Sequence, residues 1–340
     1  MNTGFLTRKT AFQSIWLDQL LAALSADRVG KKTANLIKSF LIPLVAVGIF
    51  LVFWEISASQ INTSLGTFPG PVKVWQQAHA LIDEHIAERK RESSFYERQE
   101  KRNEEKLREN PQAEVKIRPY TGSPTFIDQI FTSLWTVATG FIIASLIAIP
   151  VGIICGMSTT LYQALNPLIQ LFKPVSPLAW LPLVTMVVSA VYVTTDPVFS
   201  KSFLTSAITV TLCCVWPTII NTTVGVSSID KDLINVSRVL RLGTFTKIVK
   251  IVLPSSIPMM FAGLRLSLGI GWMVLIAAEM LAQNPGLGKF VWDEFQNGSS
   301  NSLARIMVAV LVIGFVGFLL DRGMLMLQKI ISWDKNAVLR

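Results

Sequence analysis

Long charge-free apolar runs recur along the chain and alternate with polar segments. A helix needs about 20 consecutive apolar residues to cross a hydrocarbon core of about 30 Å. Six runs fit or approach that length: residues 39–54, about 131–155, 174–195, 202–229, 267–283 and 306–320. The first becomes long enough if Leu36 and Ile37 join it while Lys38 extends its amine to the headgroups. The pattern therefore predicts an all-α, polytopic membrane helix bundle with about six transmembrane helices.

Composition supports a membrane protein and narrows the candidate chemistry. Hydrophobic residues make up 51% of the 340 and charged residues 16%, and the mean hydropathy of +0.49 is too high for an ordinary soluble domain. Cys155, Cys213 and Cys214 fall within predicted spans, so neither a disulfide framework nor a metal site is expected. His79 and His85 are the only histidines and lie outside the spans, which argues against an intramembrane enzyme.

The N-terminal residues 1–35 carry an amphipathic helical pattern. Their first apolar run comes late and lacks a small-residue cleavage site, so a cleavable signal peptide is not predicted. Five large apolar side chains share one helical face: Phe12, Ile15, Trp16, Leu20 and Leu24. Such a face fits an interfacial helix on the membrane surface, and it fits a helix packed against the rest of the protein equally well.

Basic residues concentrate in three segments that six spans would place on one side of the membrane. The positive-inside rule assigns that side to the cytoplasm, and the formal net charge of +9 largely reflects these segments. The basic residues concerned are Arg8, Lys9, Arg28, Lys31, Lys32, Lys38, Lys231, Arg238, Arg241, Lys247, Lys250, Arg322, Lys329, Lys335 and Arg340. Both termini are therefore predicted to be cytoplasmic.

A highly charged insertion follows the first span on the opposite side. Residues 73–118 contain eleven basic and ten acidic residues with interleaved signs, a pattern typical of a solvated helix with ion pairs three and four residues apart. Loops of this length cross the membrane largely regardless of charge. A polar excursion without specific function and a docking surface for an extracytoplasmic partner both fit residues 83–118.

These patterns predict a division of the chain into five segments. They are a cytoplasmic amphipathic helix (1–35), the first transmembrane helix (36–58), an extracytoplasmic charged insertion (59–127), a five-helix core (128–331) with a cytoplasmic loop at 230–256, and a cytoplasmic tail (332–340).

The cytoplasmic loop reads as two short amphipathic helices. Apolar residues recur at helical spacing on either side of Gly243 and Thr244, where a bend is predicted. Pro254 and Pro258 are expected to end the second helix before the fifth span begins. From the residues alone, a docking site for another protein and a helix lying on anionic lipid fit equally.

The loop and four other strings resemble permeases of importers driven by ATP-binding cassettes, over residues 166–331. Residues 251–254 match the Ile-x-Leu-Pro end of that family's cytoplasmic motif, which aligns residues 235–237 with its Glu-Ala-Ala start and Arg241 with its Gly. The strings that are similar to the nitrate/nitrite-type branch are KPVSPLAWLPL (173–183), WPTIINTTVGV (216–226), NVSRVLRL (235–242), GLRLSLGIGWMVLIAAEML (263–281) and FVWDEF (290–295). In that branch NVARVLRL commonly replaces the standard start.

The resemblance implies a type I importer permease fold in a bacterial inner membrane. It implies two cytoplasmic ATPase subunits, an extracytoplasmic substrate-binding protein and a second copy of the chain as partners, and no nucleic acid. The implied ATPase-coupling residues are Asn235, Ser237, Arg238, Val239, Leu240, Arg241, Leu242, Gly243, Leu253 and Pro254. The strings VGKKT and GLGKF lack the spacing of a phosphate-binding loop. The chain is therefore expected to be non-catalytic and to bind no cofactor, with ATP and Mg used by the ATPase subunits.

Polar residues within the spans are the candidates for a translocation path, because polar groups in hydrocarbon are retained where they face protein or water. Glu279 would repel an anion, which favours a gate or a structural ion pair over direct binding. The neutral candidates are Trp180, Thr185, Ser189, Trp216, Thr218 and Asn221, for which interfacial placement or helix packing is an equal alternative. Arg265 is expected to extend towards the headgroups.

The resemblance favours nitrate or nitrite as the cargo, and the same architecture would serve bicarbonate, taurine, sulfonates or cyanate. A secondary transporter would normally show internal repeats and paired broken helices, which the sequence does not display. An ATP-independent channel or a membrane scaffold remains the alternative from a different class.

Overall fold

A computed structural model describes residues 30–63, 66–110, 115, 117–193 and 198–332, with side chains from residue 41 onward. The amphipathic face predicted at residues 12–24 lies outside the described residues, as do the basic residues Arg8, Lys9, Arg28, Lys335 and Arg340. Contacts divide the chain into two units, residues 1–73 and 74–340, and each is described by itself.

In its described residues, the first unit contains one long helix and a small hairpin. Helix α1 (Gly30–Gln60) includes the apolar stretch Leu41–Gln60, which is long enough to span a bilayer. Strands β1 (Asn62–Thr63) and β2 (Gly66–Thr67) pair antiparallel after it. Large apolar side chains along α1 are exposed, as expected of a surface that faces lipid or another protein.

The second unit is helical throughout its described residues. Its elements are α2 (Pro71–Glu109, which begins just before the division), α3 (Phe126–Met157), α4 (Thr159–Phe172), α5 (Pro177–Val191), α6 (Lys201–Ser227), α7 (Lys231–Val239), α8 (Thr244–Lys247), a π-helical segment (Ile248–Val252), α9 (Leu253–Ala282), α10 (Leu287–Asn297) and α11 (Ser302–Ile331). Five helices of the described chain are long and apolar enough to span a membrane, or six if the bent pair α4–α5 is one span. The predicted all-α membrane fold is confirmed.

The third span differs from the continuous helix predicted for residues 174–195. Helix α5 has 15 residues and meets α4 at an angle of 98°. Fifteen residues reach only about 22 Å, less than the hydrocarbon core. The break follows from local sequence, because Pro177 disfavours helical backbone at Ser176, which is extended and caps α5 through a hydrogen bond from Leu178 N.

The fifth span is longer than predicted, and the two prolines do not end its preceding helix. Helical structure continues from Thr244 to Ala282, through Pro254 and Pro258. Pro254 lies in the first turn of α9, where a missing N–H is tolerated. The π-helical segment directly before it changes the hydrogen-bonding pattern of the ladder, so the chain passes the proline without stopping.

Helix α3 packs on α6 through a seam of small residues four positions apart. The seam consists of Gly140, Ala144, Ala148, Gly152 and Gly156. Small side chains let two backbones approach closely in a membrane, where packing replaces the hydrophobic effect as the driving force. Hydroxyl groups of α6 use this proximity: Thr211 donates to Gly140 O at 3.1 Å and Thr223 donates to Gly152 O at 3.2 Å.

Helix α9 also packs on α6, by the same principle. Ser267 Oγ donates to Cys214 O at 2.6 Å, and Cys214 Sγ donates to Ser267 O at 3.2 Å. A Cβ at Gly271 would lie 2.5 Å from Cys214 Sγ, so glycine is required for this approach. Helix α6 is therefore the central helix of the second unit.

The charged insertion forms the long helix α2, whose residues from Val74 belong to the second unit. Arg89 pairs with Asp128 of α3 at 2.9 Å, and Arg305 of α11 pairs with Glu84. The Tyr120 hydroxyl donates to Glu88 Oε1 at 2.7 Å and holds the pKa of that carboxyl below its usual value. The predicted helix with short-range ion pairs is present, and it is anchored to the ends of α3 and α11.

Candidate functional site

A cavity of about 400 Å³ lies between the α4–α5 bend, α6 and α9. On α6 it is flanked by Cys213 and Trp216, near the middle of that helix, and on α9 it extends from Leu266 to Val274. The remaining lining residues are Lys173, Pro174, Val175, Ser176, Pro177, Trp180, Leu212, Pro217, Ile220, Asn221, Ile270 and Met273. The cavity therefore lies at mid-depth in α6 and α9.

Aromatic side chains form one wall of this central cavity. Phe172 stacks on Trp216 with ring centroids 5.9 Å apart, and it contacts Trp180 at 5.8 Å. The Trp216 indole Nε1 is buried and has no acceptor among the described residues. Because this nitrogen is closed to water, it does not face the open space of the cavity.

The structure brings three of the neutral pathway candidates together and separates the others. Trp180, Trp216 and Asn221 line the central cavity. The other three do not line it: Thr185 and Ser189 are exposed on α5, and Thr218 is fully buried on α6 with an unpartnered hydroxyl.

Sequence reasoning did not single out Lys173 as a site residue. It is the one charged residue in the described lining of the central cavity. The signal was present, because Lys173 begins the string KPVSPLAWLPL and is followed by two prolines that indicate a break. A lysine beside a break within an apolar run is a candidate for a cavity position.

Glu279 lies in a fully buried polar cluster at the end of α9. Ser133 Oγ of α3 donates to both carboxylate oxygens at 2.9 and 2.8 Å, and Gly288 N of α10 donates at 3.0 Å. Ser133 Oγ in turn accepts from Leu287 N at 2.8 Å. The partners are a hydroxyl and a backbone N–H rather than an arginine, and Glu279 does not line the central cavity. This arrangement ties three helices together.

Arg265 forms an ion pair within the bundle instead of extending to the headgroups, so that expectation was wrong. Its Nε donates to Asp321 Oδ1 at 2.9 Å and its Nη2 donates to Asp321 Oδ2 at 3.1 Å. Two parallel bonds of this kind fix orientation as well as distance. The pair joins α9 to α11. Asp321 lies 56 residues further along the chain, so the sequence did not reveal it as the partner of Arg265.

Helix α7 ends in a Schellman motif. Leu242 N donates to Ser237 O at 3.0 Å and Arg241 N donates to Arg238 O at 3.0 Å, which satisfies carbonyls of the last turn. Arg241 has φ +48°, a left-handed conformation that favours glycine. This is the position that the sequence alignment matched to the motif Gly, so the backbone retains the glycine-like turn without the glycine. The chain bends over residues 240–243, and Gly243, where a bend was predicted, is the N-cap residue of α8.

The turn after α7 exposes a mixed apolar and basic surface. Val239 is 82% exposed, Leu240 63% and Phe245 79%, and Arg238 and Arg241 are exposed beside them. The following segment is anchored, because Val252 is buried against Ile153 and Val226, at the ends of α3 and α6. We call residues 231–245 the α7 surface. Among the described residues, no group of three or more His, Cys, Asp or Glu side chains could hold a metal ion.

The fold and the central cavity define a polytopic helical membrane protein of the transporter class. Residues 148–331 match the family described as binding-protein-dependent transport system inner membrane component. The chain belongs to this family of ABC importer permeases, and within it to the branch that contains nitrate and bicarbonate permeases.

Relatives support this assignment, and one solved structure supports the fold. The chain is 32% identical to the nitrate import permease protein NrtB of Synechocystis sp. over 85% of this chain and 88% of that one. It is 33% identical to the bicarbonate transport system permease protein CmpB of Synechococcus elongatus over 88% of this chain and 92% of that one. The fold resembles a chain of the inward-facing MetNI methionine ABC transporter with a TM-score of 0.53 at 12% identity, covering 61% of this chain and 96% of that one.

Proposed function

We propose that this chain is the membrane subunit of an ATP-driven importer that passes a small oxyanion, nitrate or nitrite in the first instance, into the cytoplasm. It receives the anion from an extracytoplasmic binding protein and is driven by ATPase subunits docked on residues 235–254. It binds no cofactor itself, and ATP and Mg are used by the ATPase subunits. Bicarbonate is the second candidate cargo, followed by taurine, sulfonates and cyanate.

The observation that carries the proposal is the α7 surface. A nine-residue helix that is closed by a left-handed turn presents exposed apolar and basic side chains at the ends of the spanning helices. Exposed Val239, Leu240 and Phe245 would be costly in water, and they are suited to burial in a groove of a partner. The anchor at Val252 joins this surface to α3 and α6, so movement of the docked ATPase would reach the central helix.

The orientation and the assembly belong to the same proposal. The basic α7 surface is cytoplasmic, both termini share that side, and α2 and α10 are extracytoplasmic, where the binding protein docks. A second copy of the chain completes the translocation path. The segment boundaries at residues 1–35, 36–58, 59–127, 128–331 and 332–340 are proposed on this basis.

The experiment is ATP hydrolysis by the chain reconstituted with its ATPase and binding protein, comparing nitrate, nitrite, bicarbonate, cyanate and taurine. Stimulation by nitrate or nitrite above the others supports the proposed cargo. Stimulation by bicarbonate alone would identify bicarbonate as the cargo and would still support an ATP-driven importer. Hydrolysis that responds to none of the five, in an intact complex, would overturn the assignment to this substrate class.

A docking variant tests the α7 surface separately. Arg238→Glu combined with Val239→Glu introduces two acids into the exposed face, and we expect it to abolish co-purification of the ATPase. The matched control is Arg98→Glu with Ile117→Glu, two exposed positions on the charged insertion, which should leave ATPase binding intact. Co-purification of the ATPase with the α7 variant at the wild-type ratio would contradict docking at this surface.

A further inference from the structure

The break between α4 and α5 places two features that favour an anion beside one cavity. Lys173 directly follows α4, and Ser176 and Pro177, the N-cap residue and the first residue of α5, line the same space. The N-terminal end of a helix carries a partial positive charge from aligned peptide dipoles.

The charged side chains of this cavity are of one sign. No Asp or Glu belongs to its described lining, and Lys173 makes none of the ion pairs found in the described parts of the chain. The cavity lies deep within the helices, because it is lined by the middle of α6 and of α9. A cation at that depth is costly and is retained where it faces a water-filled cavity or a counter-charge.

We propose that Lys173 and the N-terminal end of α5 form an anion-binding subsite at mid-membrane, beside the aromatic wall of the central cavity, through which a monovalent oxyanion passes. The inference rests on the proposed function and names the side chain that selects charge. Lys173 supplies the countercharge. The aromatic wall excludes larger hydrated ions and offers few other partners, which keeps residence short.

Broken helices suit this task for a physical reason. A continuous helix has its N–H groups committed to its own backbone, whereas a break inside the membrane exposes a helix start to a cavity. Here Ser176 caps the first turn of α5, so the helix start contributes mainly through its dipole. Lys173 therefore supplies most of the attraction in the subsite.

The electrostatic test uses Cys213, a native thiol in the lining of the same cavity. The rates of modification by an anionic and a cationic methanethiosulfonate reagent are compared in the purified complex, with and without ATP. Lys173→Gln should lower the anionic-to-cationic rate ratio by about tenfold. Cys213→Ser gives the background from Cys155 and Cys214. Lys201→Gln, an exposed lysine outside the cavity lining, is the matched control and should leave the ratio unchanged.

An unchanged ratio in Lys173→Gln would overturn the subsite. Failure of Cys213 to react in either nucleotide state would overturn it equally, because it would show a cavity without aqueous access. This readout needs no transport, so it remains informative if the wild-type complex carries neither nitrate nor bicarbonate. A complex that carries neither anion would refute the proposed function. The rates of modification by the two reagents would still decide whether the subsite exists.

The functional test is the maximal rate of nitrate uptake into proteoliposomes at saturating binding protein. Lys173→Gln should lower this rate by about tenfold, while Lys173→Arg, which keeps the charge, should retain most of it. The concentration of nitrate that gives half-maximal uptake should stay unchanged, because the binding protein captures the substrate. Equal loss in the arginine and glutamine variants would mean that side-chain shape matters rather than charge, and would contradict the proposal.

Discussion

At the scale of single residues, Arg241 adopts a backbone conformation that its side chain disfavours. The left-handed region costs a non-glycine residue about 1–2 kcal/mol, yet the turn after α7 requires it. The sequence alignment located this position and could not foresee its backbone, because Arg gives no local signal for a positive φ. The strained backbone of Arg241 is retained because this turn holds the α7 surface in place.

Arg241→Gly should therefore stabilise the isolated permease by about 1 kcal/mol, because glycine adopts the left-handed turn without strain. Thermal unfolding in detergent measures the change. Arg238→Gly, the same substitution inside the last turn of α7, is the control and should destabilise by about 1 kcal/mol. A loss of stability in both variants would show that Arg241 is not strained.

Glu279 is the second informative residue, and its contacts predict a structural role. Glu279→Ala removes the acceptor of the buried Gly288 N–H and should destabilise the permease by about 1–3 kcal/mol. Glu279→Gln keeps one acceptor oxygen and should cost less. Thermal unfolding is again the measurement, with exposed Glu100→Ala as the control. Wild-type stability in Glu279→Ala, with transport lost, would instead favour a gating role.

At the scale of helices, hydropathy predicted which segments span the membrane but not their direction or continuity. An apolar run indicates that a segment is buried in lipid or protein, but it does not show whether the helix is continuous. The bend of 98° before α5 lies inside such a run. Two prolines mark that break, whereas Pro254 and Pro258 lie within continuous helix. A proline removes one hydrogen bond, and packing of the surrounding helices decides whether the helix continues.

The α6–α9 contact gives a prediction at this scale. Gly271→Ala would place a methyl group 2.5 Å from Cys214 Sγ, which should force the helices apart and destabilise by about 1–3 kcal/mol. Gly269→Ala lies two residues earlier in α9 with nothing within 4 Å of the added Cβ, and it should be neutral or stabilising. The midpoint of thermal unfolding compares the two. Equal effects would argue against close packing at Gly271.

At the scale of the whole molecule, long-range pairs set the arrangement of helices, and sequence reading had no access to them. Trp180, Trp216 and Asn221 were chosen as polar residues within spans, and the fold brings them to one cavity. The Arg265–Asp321 pair and the Glu279 cluster join residues 56 and 146 positions apart. Without homologous sequences, nothing local indicates such partners.

The pair between α9 and α11 can be tested by reversing its charges. Arg265→Asp alone leaves two acids facing each other in the bundle and should destabilise by about 2–3 kcal/mol. Adding Asp321→Arg should recover much of that loss, because the ion pair is rebuilt in the opposite sense. Yield and thermal stability of the purified chain measure the effect. Absence of any recovery in the double variant would contradict a direct pair.

The central claim is that this chain couples ATP hydrolysis to anion import, and ATP-dependent accumulation of nitrate in proteoliposomes tests it most directly. The assay contains this chain, its ATPase subunits and its binding protein. We expect accumulation against a gradient that needs both ATP and binding protein and is lost in the Arg238→Glu, Val239→Glu variant. Nitrate that equilibrates without ATP would contradict the account and identify a passive channel.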